Sequence, residues 1–528
     1  MTNETPNETP NNPSVAIQSA LISVSDRSGL PELLKALSKR NVHIIATGGT
    51  AKHIEELGYW ATEISEYTDF PEIMDGRVKT LHPRVHGGIL AQRDNPKHRA
   101  AINNHEMTPI DLVVINLYPF DQVIAQDCTE AEAIENIDIG GPSMLRAAAK
   151  NCKWVSVLSD PRQYDEFIDH FEENSGTTEP DFRRKLAAQA FTHTARYDSI
   201  ISDYLCNRHA QNRELPETLI QVLQKHNTLS YGENHHQAAA VYVPSTSNEA
   251  SLCNAEPLHG KRLSYNNLMD AAAALQSVSD FDAPTAALIK HNTICGIASH
   301  TDILQAFHSA LACDPLSAFG GVLALNRPLT PEMVEAWDSL FLEVVIAPEV
   351  ERTVLSQLGK RKNLRILEVP LLQKQQWHAR SIPGGMLLQD PDDRVLAQGD
   401  MKVVSERQPD AECWRDLLFA WKTIRHVKSN AVVFARNEAT VAIGTGQPSR
   451  FYAVQSAIAH SADQAGTENS VLASDAFFPF PDALEAAIAA GAKAVIQPGG
   501  AARDTQIIEV ANKHNIVLVH TGVRHFSH

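Results

Sequence analysis

The chain has 528 residues, 43% hydrophobic and 21% charged, which reads as a globular protein of about three or four domain-sized units. Lys plus Arg number 46 against 63 Asp plus Glu; the net charge of −17 excludes a surface that coats nucleic acid or an anionic membrane, though not a local pocket for a small anion. Seven scattered cysteines, without C-x-x-C or H-E-x-x-H, argue against a disulfide framework and a zinc site and fit a reducing, cytoplasmic compartment.

Residues 1–16 read as a polar, Pro-rich, disordered tail without the basic and apolar regions of a signal peptide. Strands are expected at 19–24, 42–46, 111–116 and 154–158, alternating with helices at 31–40 and 51–57. That pattern predicts an α/β domain with a mainly parallel sheet and ligands at the carboxyl ends of its strands. A long Ala-rich helix is expected over 181–205, with a domain boundary between about 200 and 228. Beyond it, strands are expected at 285–290, 322–325, 344–347, 431–435, 441–444, 494–497 and 516–520. Ala-rich helices are expected at 271–278 and 483–490. This stretch is long for one sheet, so two α/β subdomains are expected.

Five clusters carry chemistry. Between Gly76 and His98 stand five Lys or Arg and one acid, with Arg77 as a fork for phosphate oxygens and Lys79 as a point charge or proton donor; the alternative is a solvated basic loop. Ser23, Ser25 and the Thr47-Gly48-Gly49-Thr50 turn form an anion cradle, or simply caps and turns. Tyr118, Asp138 and Lys150 flank a Gly-Gly turn, with Asp138 and Lys150 a possible acid/base pair and helix capping the alternative for Asp138. Lys290-His291 ends a strand that enters a turn at Gly296 and supplies a cation beside an imidazole; an exposed polar strand end is the alternative. The stretch 419–436 holds four Lys or Arg and no acid, and precedes a Gly-rich loop ending at Arg450; the alternative is a solvated basic helix face.

The segments SVSDRSGL, TGGTAKHI, DGRVKTLHPRVHGGILA, NLYPF, IDIGGPSMLRAAAKN, YGENHHQ, SYNNLMDA, DPLSAFGG, VKSNAVVFA, GTGQPSR, SDAFFPFPD and RHFSH, in that order, resemble the bifunctional family joining 5-aminoimidazole-4-carboxamide ribonucleotide (AICAR) formyltransferase to inosinate (IMP) cyclohydrolase. The resemblance implies a methylglyoxal-synthase-like core over 17–161 with a helical extension to 199. It implies a linker region at 200–228 and a formyltransferase part over 229–528 built of two cytidine-deaminase-like subdomains without zinc. It implies transfer of a formyl group from 10-formyltetrahydrofolate, a co-substrate rather than a tightly bound cofactor, to AICAR, and then ring closure to IMP. It also implies a homodimer with shared formyltransferase sites. The cyclohydrolase set it implies is Ser23, Ser25, Gly49, Thr50, Arg77, Lys79, Thr80, Tyr118, Asp138 and Lys150. The formyltransferase set is Lys290, His291 and Asn430, with Tyr231, His236, Asn267, Gly320, Arg450, Phe477 and Arg524 contacting nucleotide or folate.

Ser230, Pro481 and Ser527 stand where the family commonly has Arg, His235 replaces a usual Pro, and Asn292-Thr293-Ile294 replaces a small-Asn-Pro step. Three lost cations imply a weaker phosphate or folate pocket, by about 1–3 kcal/mol for each charged bond. The alternatives are therefore a cyclohydrolase with weakened formyl transfer, or a nucleotide-binding regulatory protein. A zinc deaminase and a nicotinamide oxidoreductase lack their motifs.

Overall fold

The computed structural model describes residues 13–74, 76–126, 128–209, 215–244, 251–359, 361–372, 377–461 and 466–528. Residues 1–12 of the expected tail, Asp75 and residues 210–214 of the expected linker lie outside them. The chain divides into two units, 1–222 and 223–528.

In the first unit the strands are β1 Val15–Ala16, β2 Ser19–Val24, β3 His43–Ala46, β4 Thr62–Glu63, β5 Leu112–Asn116, β6 Ser156–Leu158 and β7 Thr177–Thr178. Ala20, Leu21 and Ile22 are fully buried without polar alternation, the mark of a strand covered on both faces. Accordingly β2 is central in a parallel sheet of order β4-β3-β2-β5-β6. The chain runs outward from β2 through β3 to β4, then returns to the other side of β2 for β5 and β6. Strand order therefore reverses between β2 and β5, and the crevice beyond their carboxyl ends is where ligands gather in such sheets. Val15 and Ala16, expected in the tail, pair with β7. The long helix spans Pro180–His209, so residues 200–209 are helix rather than linker.

The second unit contains β8 Leu223–Leu229, β9 Ala239–Pro244, β10 Thr285–Lys290, β11 Thr293–Ser299, β12 Gly321–Leu325, β13 Leu342–Ala347, β14 Arg365–Glu368, β15 His378–Ile382, β16 Gly385–Gln389, β17 Lys402–Val403, β18 Val432–Arg436, β19 Ala439–Gly444, β20 Val471–Ser474, β21 Ala494–Gln497 and β22 Val517–His520. Eleven of them form one mixed sheet, ordered β14-β13-β12-β10-β11-β19-β18-β20-β21-β22-β17. It is two copies of one motif meeting at β11 and β19. Each copy has a helix (Tyr265–Ser279 or Ala411–Ile424), an antiparallel hairpin, a second helix (Ile303–Cys313 or Arg450–Ser461) and then three parallel strands.

The duplication reaches individual glycines. A Cβ on Gly296 in β11 would strike the Ala310 carbonyl oxygen, and one on Gly444 in β19 would strike that of Ala453. In each copy the glycine lets a strand lie directly on a helix backbone. Gly296 is thus mid-strand, not a turn as expected. The turn is His291-Asn292, both with positive φ, and its counterpart is Asn437-Glu438. Two residues with φ > 0 make the hairpin turn whose twist suits antiparallel strands, and Asn tolerates that conformation.

Candidate active sites

In the first unit, helix Gly48–Glu56 begins directly after β3, so the Gly-Gly pair lies in its first turn rather than in a preceding loop. The Gly48, Gly49 and Thr50 amides precede the first residue able to bond back within the helix and so face an anion position. Ser23 Oγ lies 2.9 Å from Thr47 Oγ1. Thr50 is buried, and its hydroxyl accepts from Val24 N at 3.1 Å, so its side chain ties β2 to the helix and only its amide remains for a ligand. Ser25 Oγ donates to Asn116 Oδ1 at 2.8 Å and Leu117 O at 3.0 Å. Asn116, which ends β5 and was not expected as a site residue, also receives Ser25 N and Asp26 N and donates to Asp26 O at 2.8 Å. One side chain thus braces the loop after β2 at the strand-order reversal.

The Lys79-Thr80 loop packs on the Gly140-Gly141 turn. Thr80 is buried, with Oγ1 where a Gly140 Cβ would stand, which leaves only glycine possible there. This contact brings Lys79 near Asp138. The Asp138 carboxylate accepts from Gly141 N at 2.8 Å, and its backbone N donates to Tyr197 Oη at 2.8 Å. Burial pushes the Asp138 carboxyl above its ordinary value, against the opposing pull of the Gly141 amide and the Lys79 ammonium. Burial also pushes the Tyr197 phenol up to about 12. Arg77 is exposed and pairs with Glu135. Tyr118 is half exposed at 49%.

Lys150 does not join Asp138. It ends the eleven-residue helix Gly140–Lys150 whose start Asp138 caps, so the pair is separated by a helix about 16 Å long. The expected acid/base pair is replaced by Asp138 with Lys79.

In the second unit two sets of residues form. Lys290 Nζ donates to Phe319 O at 2.7 Å, next to Gly320. Asn267 Nδ2 donates to Glu343 Oε2 at 2.8 Å, which places an unforeseen carboxylate beside the β12 and β13 ends. Asp270, from helix Tyr265–Ser279, accepts from His291 N at 3.3 Å and Asn292 N at 2.6 Å, clasping the turn that carries His291. In the second copy Asp416 does the same for Glu438 N at 2.8 Å. Tyr231 stacks on His235 at 4.4 Å, and His236 is exposed in the same turn, which Asn266 ties through Glu233 O to this helix.

The second set lines a cavity of about 540 Å³ that includes Asn430, Arg450, Phe477 and Arg524, with Phe480 and Phe526. Asn430 Nδ2 donates to Gln447 O at 2.8 Å. Arg450 is 6% exposed, and its Nη1 donates to Asp475 and to Ala431 O, while its Nε has no hydrogen-bond partner among the described residues; it is a cation held in the buried wall of the cavity. Arg524 lies over Phe526 at 4.7 Å, and Arg503 over Phe480 at 4.6 Å. Pro481 opens helix Pro481–Ala489, where a missing N–H costs nothing, and Ser527 N donates to Ser429 Oγ at 3.1 Å. Neither supplies a cation.

A family model described as the AICARFT/IMPCHase bienzyme matches residues 148–460, 313 of 528, and one described as an MGS-like domain matches residues 29–143. The chain is 47% identical over 514 residues to the bifunctional purine biosynthesis protein PurH of Bacillus cereus strain AH187, covering 97% of this chain and 100% of that protein.

The chain belongs to the AICARFT/IMPCHase bienzyme family.

The PurH protein of Bacillus anthracis strain A0248 is likewise 47% identical, over 96% of this chain and 99% of its own. A crystal structure of ForH is 32% identical, covers 36% of this chain and 98% of that chain, and has a TM-score of 0.33. The MGS-like match covers β3, β4 and β5 of the parallel sheet, and the bienzyme match runs from β6 through β19. Asn116, Tyr197, Asp270 and Glu343 went unforeseen because each acts through a partner distant in sequence. Asn116 had one local signal, its place at the end of an expected strand.

Proposed function

We propose that the second unit transfers a formyl group from 10-formyltetrahydrofolate to the AICAR amine, and that the first unit closes the product to IMP with loss of water. The reading rests on one observation: the family match runs through both units. In formyl transfer, His291 takes the amine proton as the C–N bond forms, and Lys290 stabilises the negative charge that develops on the formyl oxygen; as the oxyanion collapses, the bond from the formyl carbon to folate N10 breaks and N10 leaves with the proton returned by His291. Tyr231, His236, Asn267 and Gly320 hold the nucleotide around them. Asn430 orients the formyl group, while the Phe477 and Phe526 rings with Arg524 receive the folate; rings beside a cation suit a flat, anionic co-substrate. The folate enters and leaves with each turnover, so no cofactor stays tightly bound.

Lys290 on β10 and Asn430 before β18 lie at the same end of the sheet but three strand spacings apart, about 14 Å. A transferred group needs reacting atoms about 3–3.5 Å apart. That separation supports a site completed by a second copy of the chain, in the homodimer that the family resemblance implies. Cytoplasmic residence suits the free cysteines, and none of the described helices is long and apolar enough to cross a membrane.

In ring closure the phosphate sits on the first-turn amides of Gly48–Glu56 beside Ser23 and Ser25, with Arg77, Thr80 and Tyr118 around the base. The carboxamide nitrogen attacks the formyl carbon. Asp138, less acidic than usual, accepts the first N–H proton while Lys79 protonates the oxyanion to a hydroxyl; the proton then passes from Asp138 to that hydroxyl, which leaves as water, and Lys79 takes back the remaining proton from the formamido nitrogen. Lys150 has no part in this step.

Lys290→Ala abolishes formyl transfer and spares cyclisation of formyl-AICAR, and Lys79→Ala does the reverse. Assays of both half-reactions on purified variants check this; either variant running both at wild-type rate overturns the assignment.

A further inference from the structure

A second cavity, of about 430 Å³, lies in the second unit along helix Ala411–Ile424, between the turn before β10 and residues 394–397. It shares no lining residue with the Asn430 cavity and holds none of the groups assigned to either reaction. Its volume is within the range of small-molecule sites. Phe281, Phe419 and Trp421 supply flat apolar walls.

Charge is concentrated there in an otherwise acidic chain. Arg394, Arg415, Lys422 and Arg425 face it, against the carboxylates Asp282 and Glu438; counting also the Asp280 that pairs with Arg425 leaves an excess of one positive charge. Arg425 is paired with Asp280 at 3.3 Å. Arg394, Arg415 and Lys422 form no ion pair among the described residues, and Lys422 lies over the Phe281 ring at 5.6 Å. The wall also contains three buried nitrogens without a hydrogen-bond partner in the structure: Trp421 Nε1, Arg425 Nε and His525 Nε2. Buried polar atoms are seldom left unmatched, and such a group calls for a specific explanation. Much of the basic stretch 419–436, of which the two reactions use only Asn430, is directed here.

We infer that this cavity is a binding site for a small molecule in which a planar ring carries two negative charges. The rings hold the flat part by stacking, and the unpaired cations meet the dianion. A phosphate monoester on a base and a paired carboxylate on an arylamide both present this chemistry.

The test uses the full chain saturated with IMP and isothermal titration with adenosine 5′-monophosphate in one arm and p-aminobenzoylglutamate in the other; the arm whose binding falls in the Arg415→Ala, Lys422→Ala double variant identifies phosphate or dicarboxylate, because p-aminobenzoylglutamate also enters the folate cavity. The expected result is one further site per chain for at least one probe. The double variant Arg415→Ala, Lys422→Ala should lose about tenfold or more in affinity for it, with overall IMP formation unchanged. Adenosine, which has the ring without the charge, should bind at least about tenfold more weakly than its monophosphate if that arm is positive. Failure of both probes to bind at millimolar concentration overturns the inference, as does equal binding to the double variant. Unchanged IMP formation guards against a folding defect in the charge variant, and Trp421→Phe, which keeps a ring but removes the unpartnered Nε1, should bind more weakly than wild type. Because the readout is binding at Arg415 and Lys422, its failure leaves the assignment of the two reactions untouched.

Discussion

Asp138 shows how one side chain is set for two duties. Its carboxylate caps a helix through Gly141 N, and its amide is held by Tyr197 Oη. Burial disfavours the charged form, so the folded chain binds a proton at Asp138 more tightly than the unfolded chain does. Stability conferred by that proton is present at low pH and is lost as pH rises from about 3.9, the free aspartate value, through the raised value. Asp138→Asn removes this penalty while keeping an oxygen for Gly141 N. It should raise Tm near neutral pH, with the gain shrinking as pH falls toward about 4, and should slow cyclisation by about 100-fold or more. Thermal melts across pH, paired with formyl-AICAR turnover, check both; a Tm gain independent of pH would rule out the proton linkage.

In the proposed formyl transfer, the hairpin is the element that carries His291. Its turn residues need positive φ, and without a clasp the imidazole would inherit the freedom of an exposed loop. Asp270 is that clasp in one copy and Asp416 in the other, and only the first carries a histidine. Asp270→Ala should lower kcat for formyl transfer by about 10- to 100-fold, since small misplacements of a catalytic group are costly. It should change the KM for AICAR far less and leave cyclisation alone. Asp270→Asn, which still accepts from the turn amides, should recover most of the rate. Asp416→Ala should lower Tm and leave kcat for formyl transfer near wild type. Steady-state kinetics on the three variants decide it: equal effects of the two alanine variants on kcat would make the clasp merely structural.

On the scale of the whole molecule, the proposed homodimer would make association part of catalysis, since Lys290 and Asn430 stand three strands apart within one sheet. Lys290→Ala and Asn430→Ala chains should each be inactive in formyl transfer. Mixed after reversible dissociation, they should regain roughly a quarter of wild-type activity, because half the dimers are mixed and each has one intact site. No recovery, with dimers present by sedimentation, would place the whole site within one chain. The charge of −17 also reads differently at this scale. It governs solubility, while the short basic stretches supply the local fields that hold small anions.

Much of this was legible along the chain. Uninterrupted runs such as Ala-Leu-Ile in β2 and the Ala-rich helices declare buried elements locally, because covered strands and helices are written in contiguous residues. Lys79 and Asp138 were equally visible as chemistry-bearing types beside glycines, Lys290-His291 as a polar pair closing an apolar strand, and Asn430 within a basic stretch free of acids. Gly296 misled because a glycine that marks a turn and one that admits a helix backbone look the same until the helix is in place. That Arg450 shares its charge with Asp475 was not visible because Asp475 comes from another strand end. Lys150 misled because twelve positions along a chain say nothing of distance until they are wound into a helix. The amino-acid order specified the elements and their reactive groups. The packing of elements distant in sequence then settled which groups meet, which are spent on structure and which acquire a shifted proton affinity, since burial and pairing exist only after the chain has closed on itself.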